Sequence, residues 1–323
     1  PEFSRFSWFA MLFGAGIGIG MLTFSTGEPL AHFTKSPEII RGAIDARSPE
    51  AVRPAYIYTF LHWGFGAWCS YALVGLGIGY VAHPRGLPLT IRSSLAPPFG
   101  ERMSAMAGHA VDVVAVVATI LGVAYTLGFG VEQFVAGLYR IGLGEWLMTQ
   151  GEGGAAAKSS TAAIILALVV LVGASTVSAL SGVGRGIKWL SNLNMGLSLG
   201  LLALFLTVGS GLYGLQLLGV GIWDYIVNLP KQSLSLFEPD GSEIGQALVS
   251  WQEGWTVMYW AWWIAFAPFV GMFIARISRG RSLREYILGV AIVPSLMCFI
   301  WMALVGGTAI DLELSGVANG VIA

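Results

Sequence analysis

The chain has 323 residues, 55% of them hydrophobic and only 11% charged, with a mean hydropathy of +0.73. Soluble domains carry about 25% charged residues, so a water-facing surface around one core cannot be built from this composition. A formal net charge of −1 also excludes the basic footprint of a nucleic-acid partner.

Seven apolar segments predict helices over about 6–32, 54–82, 105–138, 161–181, 187–219, 249–276 and 282–308, and several exceed the roughly 20 residues a bilayer crossing needs. The connections at 33–53 and 139–160 are polar and carry Pro and Gly. The stretch 224–248 is acidic and only partly apolar, which predicts an interfacial helix or surface connection. Cys69 and Cys298 both lie inside apolar runs, as small packing residues rather than a disulfide framework. The chain opens at Pro1-Glu2-Phe3, directly before an apolar segment, and trails off in a Gly-rich stretch. Both ends are therefore expected to be cuts within a longer protein.

Loop cations predict the orientation. Arg85, Arg92 and Arg102, Arg185 and Lys188, and Arg276, Arg279, Arg281 and Arg284 occupy one set of loops with few acids, and these should face the cytoplasm. The alternate loops hold cations diluted by acids.

The first segment contains Gly14-Ala15-Gly16-Ile17-Gly18-Ile19-Gly20. Glycine on every second residue costs a helix about 1 kcal/mol each relative to alanine, so it needs a reason. Close helix packing is one, since Gly14/Gly18 and Gly16/Gly20 have the small-xxx-small spacing. Local unwinding that turns carbonyls toward a cavity is the other. A soluble dinucleotide fingerprint is excluded, because no strand precedes it.

The second segment carries Trp63, Trp68 and Tyr71, which on a continuous helix stand at about 0°, 140° and 80° on one broad side. Trp68 falls near mid-bilayer, too deep for the interfacial aromatic belt. The sixth segment is denser, with Trp255, Tyr259, Trp260, Trp262, Trp263 and Phe266 before Pro268. That proline removes a backbone donor, so a kink or local opening is expected there. Two helices offering aromatic faces at one depth fit either mutual packing or a cage for a quaternary ammonium. Such a cation has no N–H to donate, and indole faces attract it through the ring quadrupole by up to about 2 kcal/mol each when dry.

Ionisable residues within the segments are few. Glu28 stands before Pro29 and is read as a helix-end residue; Glu132 is a snorkelling carboxylate or a cation path; Asp112 and His109 are interfacial. No zinc-type spacing, membrane-protease constellation or nucleophile-and-base pair is present, so no enzyme is predicted.

Taken together, Gly16 to Gly20 with Glu28-Pro29, His62-Trp63-Gly64 with Trp68 and Tyr71, and the run from Trp255 through Gly271 into Arg276-Ile277-Ser278-Arg279-Gly280 resemble the betaine/choline/carnitine transporter family (BCCT). The resemblance covers essentially the whole chain. It implies an all-α membrane protein with an inverted-repeat core of the LeuT type, truncated at both ends and spanning about the third to ninth of twelve helices. It implies a substrate cage of Trp63, Trp68, Tyr71 and Trp263, with Trp260, Trp262, Phe266 and Thr23 along the pathway. The family often has Trp at the Phe266 position and a bulky aromatic at Thr23. For Na⁺ it implies one site at the carbonyls near Gly14 and Ile17, and another at Thr119 and Phe269. The second hydroxyl position of the latter is Val123, which cannot ligate an ion.

The resemblance thus implies Na⁺-coupled uptake of glycine betaine, choline, carnitine or a sulfonium analogue by alternating access. The setting would be the bacterial inner membrane and the assembly a homotrimer, with no cofactor beyond the coupling ion. A substrate exchanger of the same fold and a membrane-embedded osmosensor are the alternatives.

Overall fold

In the computed structural model, residues 1–16, 18–100, 106–149 and 157–318 are described. The longer helices are α1 (Arg5–Gly16), α2 (Ile19–Thr34), α3 (Val52–Trp63), α4 (Phe65–Arg85), α5 (Ile91–Phe99), α6 (Met106–Arg140), α7 (Thr161–Leu180), α8 (Lys188–Thr207), α9 (Gly211–Leu234), α10 (Glu243–Ile277) and α11 (Leu283–Leu314). Among the described residues the only strands are Met148–Thr149 and Lys158–Ser159, a short antiparallel pair. Among the described residues six helical stretches are long and apolar enough to cross a membrane, and α1 with α2, bent by 64° at the glycine segment, makes a seventh if the bent pair is counted as one span. Side chains such as Leu121 on α6, Leu180 on α7 and Leu197 on α8 point outward. In water such a coat would be a large exposed apolar patch; in hydrocarbon it is the surface a spanning helix must present, because only fully hydrogen-bonded backbones cross the bilayer. The protein is an all-α membrane protein.

The fifth predicted segment, 187–219, is two helices. The chain turns at Ser210, whose backbone N–H donates to Thr308 Oγ1 at 3.2 Å and whose hydroxyl donates to Asp311 on α11. From there α9 runs to Leu234, through much of what the sequence suggested as a connection. Its buried residues Gly211, Gly214, Leu217, Gly221, Asp224 and Tyr225 recur every three or four positions, which lays one face along α3. Asp224 anchors that face by a bidentate pair with Arg53, at 2.6 and 2.8 Å.

α4 and α10 share the most extensive helix–helix contact among the described residues, and two glycines let them approach closely. A Cβ at Gly271 would lie 2.6 Å from Val74 Cγ1 and 3.0 Å from the Gly75 nitrogen, and one at Gly75 would lie 2.9 Å from the Gly271 carbonyl oxygen. The two backbones touch there, as small residues permit when no hydrophobic effect drives helices together. Tyr286 on α11 closes the crossing by donating to the Ala72 carbonyl at 3.0 Å.

The second predicted helix is also broken, at Gly64 (φ −91°, ψ −149°). A break at this depth frees backbone groups that lipid cannot satisfy. The protein satisfies them with side chains: Phe65 N–H donates to the Tyr225 hydroxyl at 2.8 Å, and the Trp263 indole donates to the His62 carbonyl at 2.9 Å. A Cβ at position 64 would lie 2.7 Å from that same hydroxyl, so the stopper fits only against glycine. Tyr225→Phe should leave the Phe65 N–H without its acceptor and cost about 1 kcal/mol. The check is thermal unfolding in detergent, where an unchanged midpoint would contradict the role.

The arginine cluster after α10 is put to structural use. Arg276 pairs with Glu2 at 3.0 Å, Arg5 pairs with Glu285 at 3.2 Å, and Arg281 donates to the Phe3 carbonyl at 2.7 Å while lying 4.7 Å over the Trp8 ring. α10 itself runs through Pro268 to Ile277 without interruption, and its irregularity is a π-helical turn at Glu253–Val257. A proline removes one hydrogen bond, and a packed membrane helix tolerates that loss.

Candidate functional site

The glycine segment, the Gly64 break and the tryptophan face of α10 meet around a cavity of about 120 Å³, lined by Gly14, Gly18, Gly20, Met21, Trp63, Tyr71, Thr126, Trp262, Trp263 and Phe266 among others. Trp63 meets Trp263 at 5.5 Å and 89°, Tyr71 meets Trp263 at 5.3 Å and 67°, and Trp262 stacks beside Trp263 at 6.4 Å and 23°. Rings at such angles form the corners of a box. On the fourth side the glycines let backbone approach. A Cβ at Gly20 would lie 2.9 Å from the tip of Trp262, whereas one at Gly18 would meet nothing within 4 Å.

Three of the four expected cage residues, Trp63, Tyr71 and Trp263, therefore line one cavity. Trp68 does not reach it: it is fully buried and packs on Tyr71 at 5.7 Å and Trp263 at 6.0 Å. The angular estimate that grouped Trp63 with Trp68 assumed one straight helix, and the Gly64 break resets the phase between them. Of the pathway residues, Trp262 and Phe266 share a face one turn apart and both line the cavity. Trp260 stands about 200° from Trp262 at 100° per residue, and its tip packs on Gly66 instead. Thr23 accepts a hydrogen bond from Gln133 on α6. The aromatic beside it, Phe24, was missed from the sequence; its ring sits 6.1 Å from Trp63, 5.8 Å from Tyr259 and 5.9 Å from Trp262.

Of the expected Na⁺ ligands, Gly14 lines the aromatic cavity and Ile17 lies outside the described residues. Thr119 and Phe269 are brought together in a second cavity of about 300 Å³ between α5, α6 and α10, which Asp112 also lines. The Thr119 hydroxyl donates to the Ala115 carbonyl at 2.8 Å, which leaves its oxygen lone pairs free to accept. Asp112 pairs with Arg92 at 3.2 Å, and Glu132 is exposed on α6.

Glu28 corrects the sequence reading most. It lies inside α2, which continues through Pro29 to Thr34, and it is fully buried. Its Oε1 is 2.6 Å from His62 Nδ1 and 3.2 Å from His32 Nε2; its Oε2 accepts from the Trp63 indole at 2.6 Å and from the Tyr259 hydroxyl. Glu28, His32 and His62 offer the ligand types of a metal centre, with ligand atoms within 4.8 Å of one another. The contacts of the carboxylate are hydrogen-bond distances, however, and its acceptor positions are taken by four side-chain donors. The signal that could have found this cluster is a Glu and a His one turn apart in an apolar helix.

A model described as the betaine/carnitine/choline family transporter matches residues 1–322. The chain is 41% identical over 310 residues to the high-affinity choline transport protein of Escherichia coli (strain K12), covering 96% of this chain and 42% of that protein. It is 40% identical over 321 residues to the glycine betaine transporter OpuD of Bacillus subtilis (strain 168), covering 99% and 58%. It is 39% identical over 311 residues to the osmo-dependent choline transporter BetT2 of Acinetobacter baylyi, covering 96% and 42%. The chain spans about half the length of the curated relatives it matches. By these matches and by the residues that carry them, the chain belongs to the betaine/carnitine/choline transporter family.

Proposed function

We propose that the protein is a secondary active transporter that takes up a quaternary-ammonium solute, such as glycine betaine or choline, by alternating access and without covalent chemistry. The observation that carries this reading is the small cavity between Trp63, Tyr71, Trp262, Trp263 and Phe266, whose described lining holds no charged side chain. At about 120 Å³ it is well below the roughly 300 Å³ at which drug-sized pockets begin. Such a box suits a compact cation that cannot donate a hydrogen bond and is held by ring faces. The names of the relatives, choline and glycine betaine transporters, supply the substrate class.

Na⁺ coupling belongs to the same proposal, through Gly14 beside the aromatic cavity and through Thr119 and Phe269 in the second one. A homotrimer in the bacterial inner membrane is the proposed setting. The test is uptake of labelled glycine betaine and choline by the intact protein in proteoliposomes, with and without an inward Na⁺ gradient. Accumulation that requires the gradient is expected; Thr119→Ala should raise the Na⁺ concentration for half-maximal uptake several-fold and leave substrate affinity at saturating Na⁺ unchanged. Accumulation without Na⁺ would refute the coupling, and movement driven only by counter-substrate would replace uptake with exchange.

A further inference from the structure

We infer that Glu28 is an ionised, fixed counter-charge set behind the aromatic wall, and that it makes the cavity selective for cations over uncharged molecules of the same shape. The inference rests on the proposed transport reading and adds to it a specificity residue that does not itself line the cavity.

The argument is one of hydrogen-bond accounting. Glu28 is fully buried, and each of its four close polar contacts is to a group able to donate: His62, His32, the Trp63 indole and the Tyr259 hydroxyl. An ionised carboxylate only accepts, and four incoming donors fill its acceptor positions; a protonated one would need a histidine nitrogen or the Tyr259 oxygen turned round to accept its O–H. Trp63 N–H can only donate, so the Oε2 side is fixed as an acceptor.

Neither histidine needs a charge to complete this set. His62 donates from Nδ1, and its Nε2 lies 3.0 Å from Thr256 Oγ1, a hydroxyl that can supply the proton. His32 donates from Nε2, and its Nδ1 is buried with no hydrogen-bond partner among the described residues. A protonated His32 would put an N–H there, buried without an acceptor, which is among the costliest arrangements in a protein interior. Both rings therefore fit their sites as neutral tautomers. With both rings in these tautomers the cluster as a whole carries one negative charge, with no Lys or Arg among its contacts.

Trp63 connects that charge to the cavity. Its indole N–H points at Glu28 Oε2, while its ring is a wall of the box and meets Trp263 edge-on. A carboxylate accepting from the indole N–H pushes electron density into the ring, which strengthens the negative face a cation would meet. The same charge, screened by little but protein, attracts a cation on the other side of the ring directly. It is spared the cost of being stripped of partners, because its donors are already in place. The arrangement attracts positive charge while leaving the cavity lining apolar.

The experiment compares choline with its uncharged carbon isostere, 3,3-dimethylbutan-1-ol, in displacing labelled choline from the intact protein in detergent or proteoliposomes. The wild type should prefer choline. Glu28→Gln should lower that preference about tenfold, mainly by weakening choline. His32→Lys, which keeps the carboxylate and sets a compensating charge beside it, should lower it in the same sense and decides the matter if the glutamine variant fails to fold. An unchanged preference, or equal weakening of both ligands, would leave Glu28 a packing residue and overturn the inference. A wild type that binds no choline or glycine betaine would instead overturn the transport reading on which it rests.

Discussion

Trp263→Ala should raise the dissociation constant for glycine betaine or choline by about thirtyfold, the loss of one dry cation–π wall worth about 2 kcal/mol. The residue has two duties. Its ring touches Trp63, Tyr71, Trp68 and Trp262, and its N–H holds the carbonyl that the Gly64 break sets free. Trp263→Phe separates them: it keeps a ring, gives up the bond to His62, and should weaken binding by a smaller factor while lowering thermal stability. Trp68→Ala makes the contrast. Because Trp68 packs behind the walls rather than in them, its removal should act as a core truncation, costing about 3–5 kcal/mol of stability. Equilibrium binding and thermal unfolding measured on the same preparations distinguish the two. A Trp263→Ala protein that binds with wild-type affinity would end the assignment of this cavity.

The second large effect is expected where α4 crosses α10. Gly271→Val should destabilise the protein by at least about 1–3 kcal/mol, the usual cost of overpacking. Alanine at Gly75 should behave similarly, since its Cβ would lie 2.4 Å from the Tyr286 hydroxyl and 2.9 Å from a backbone oxygen. Gly128→Ala on α6 is the matched control: nothing lies within 4 Å of the added carbon, and the helix gains about 1 kcal/mol of propensity. Thermal unfolding in a mild detergent reads all three. If the Gly271 variant melts with the wild type, the backbones are not in contact there.

The parts legible in the sequence are those carried by periodicity and by scarce residue types. Apolar length marked most of the spanning helices, because a bilayer sets a minimum run. Tryptophans at mid-depth marked both faces of the cavity, because an indole so far from water needs a partner. What escaped depends on where the chain changes direction. The turn at Ser210 is made by Thr308 and Asp311, about a hundred residues away in sequence, and no local pattern announces it. The Gly64 break relies on Tyr225 and Trp263, both distant, and without it the phase of Trp68 cannot be judged. Glu28 was misplaced because Pro29 follows it, and a proline is ordinarily a stop signal. Here α2 continues past the proline, and Gly306 of α11 packs so closely that a Cβ there would sit 2.6 Å from the Ser25 carbonyl oxygen, the acceptor a proline at 29 leaves without its helical donor.

The contact of Gly75 with Gly271 also ties walls of the cavity to one another. Helices whose backbones touch cannot slide past one another without first separating, so α4 and α10 are expected to behave as one unit. They carry Tyr71, Trp262, Trp263 and Phe266 with them as a fixed set. The wall opposite this set is built on the glycines before and at the start of α2, where a Cβ at Gly18 would meet nothing within 4 Å. Four of the five aromatic walls of the cavity are thus held in one frame by two residues that have no side chain at all.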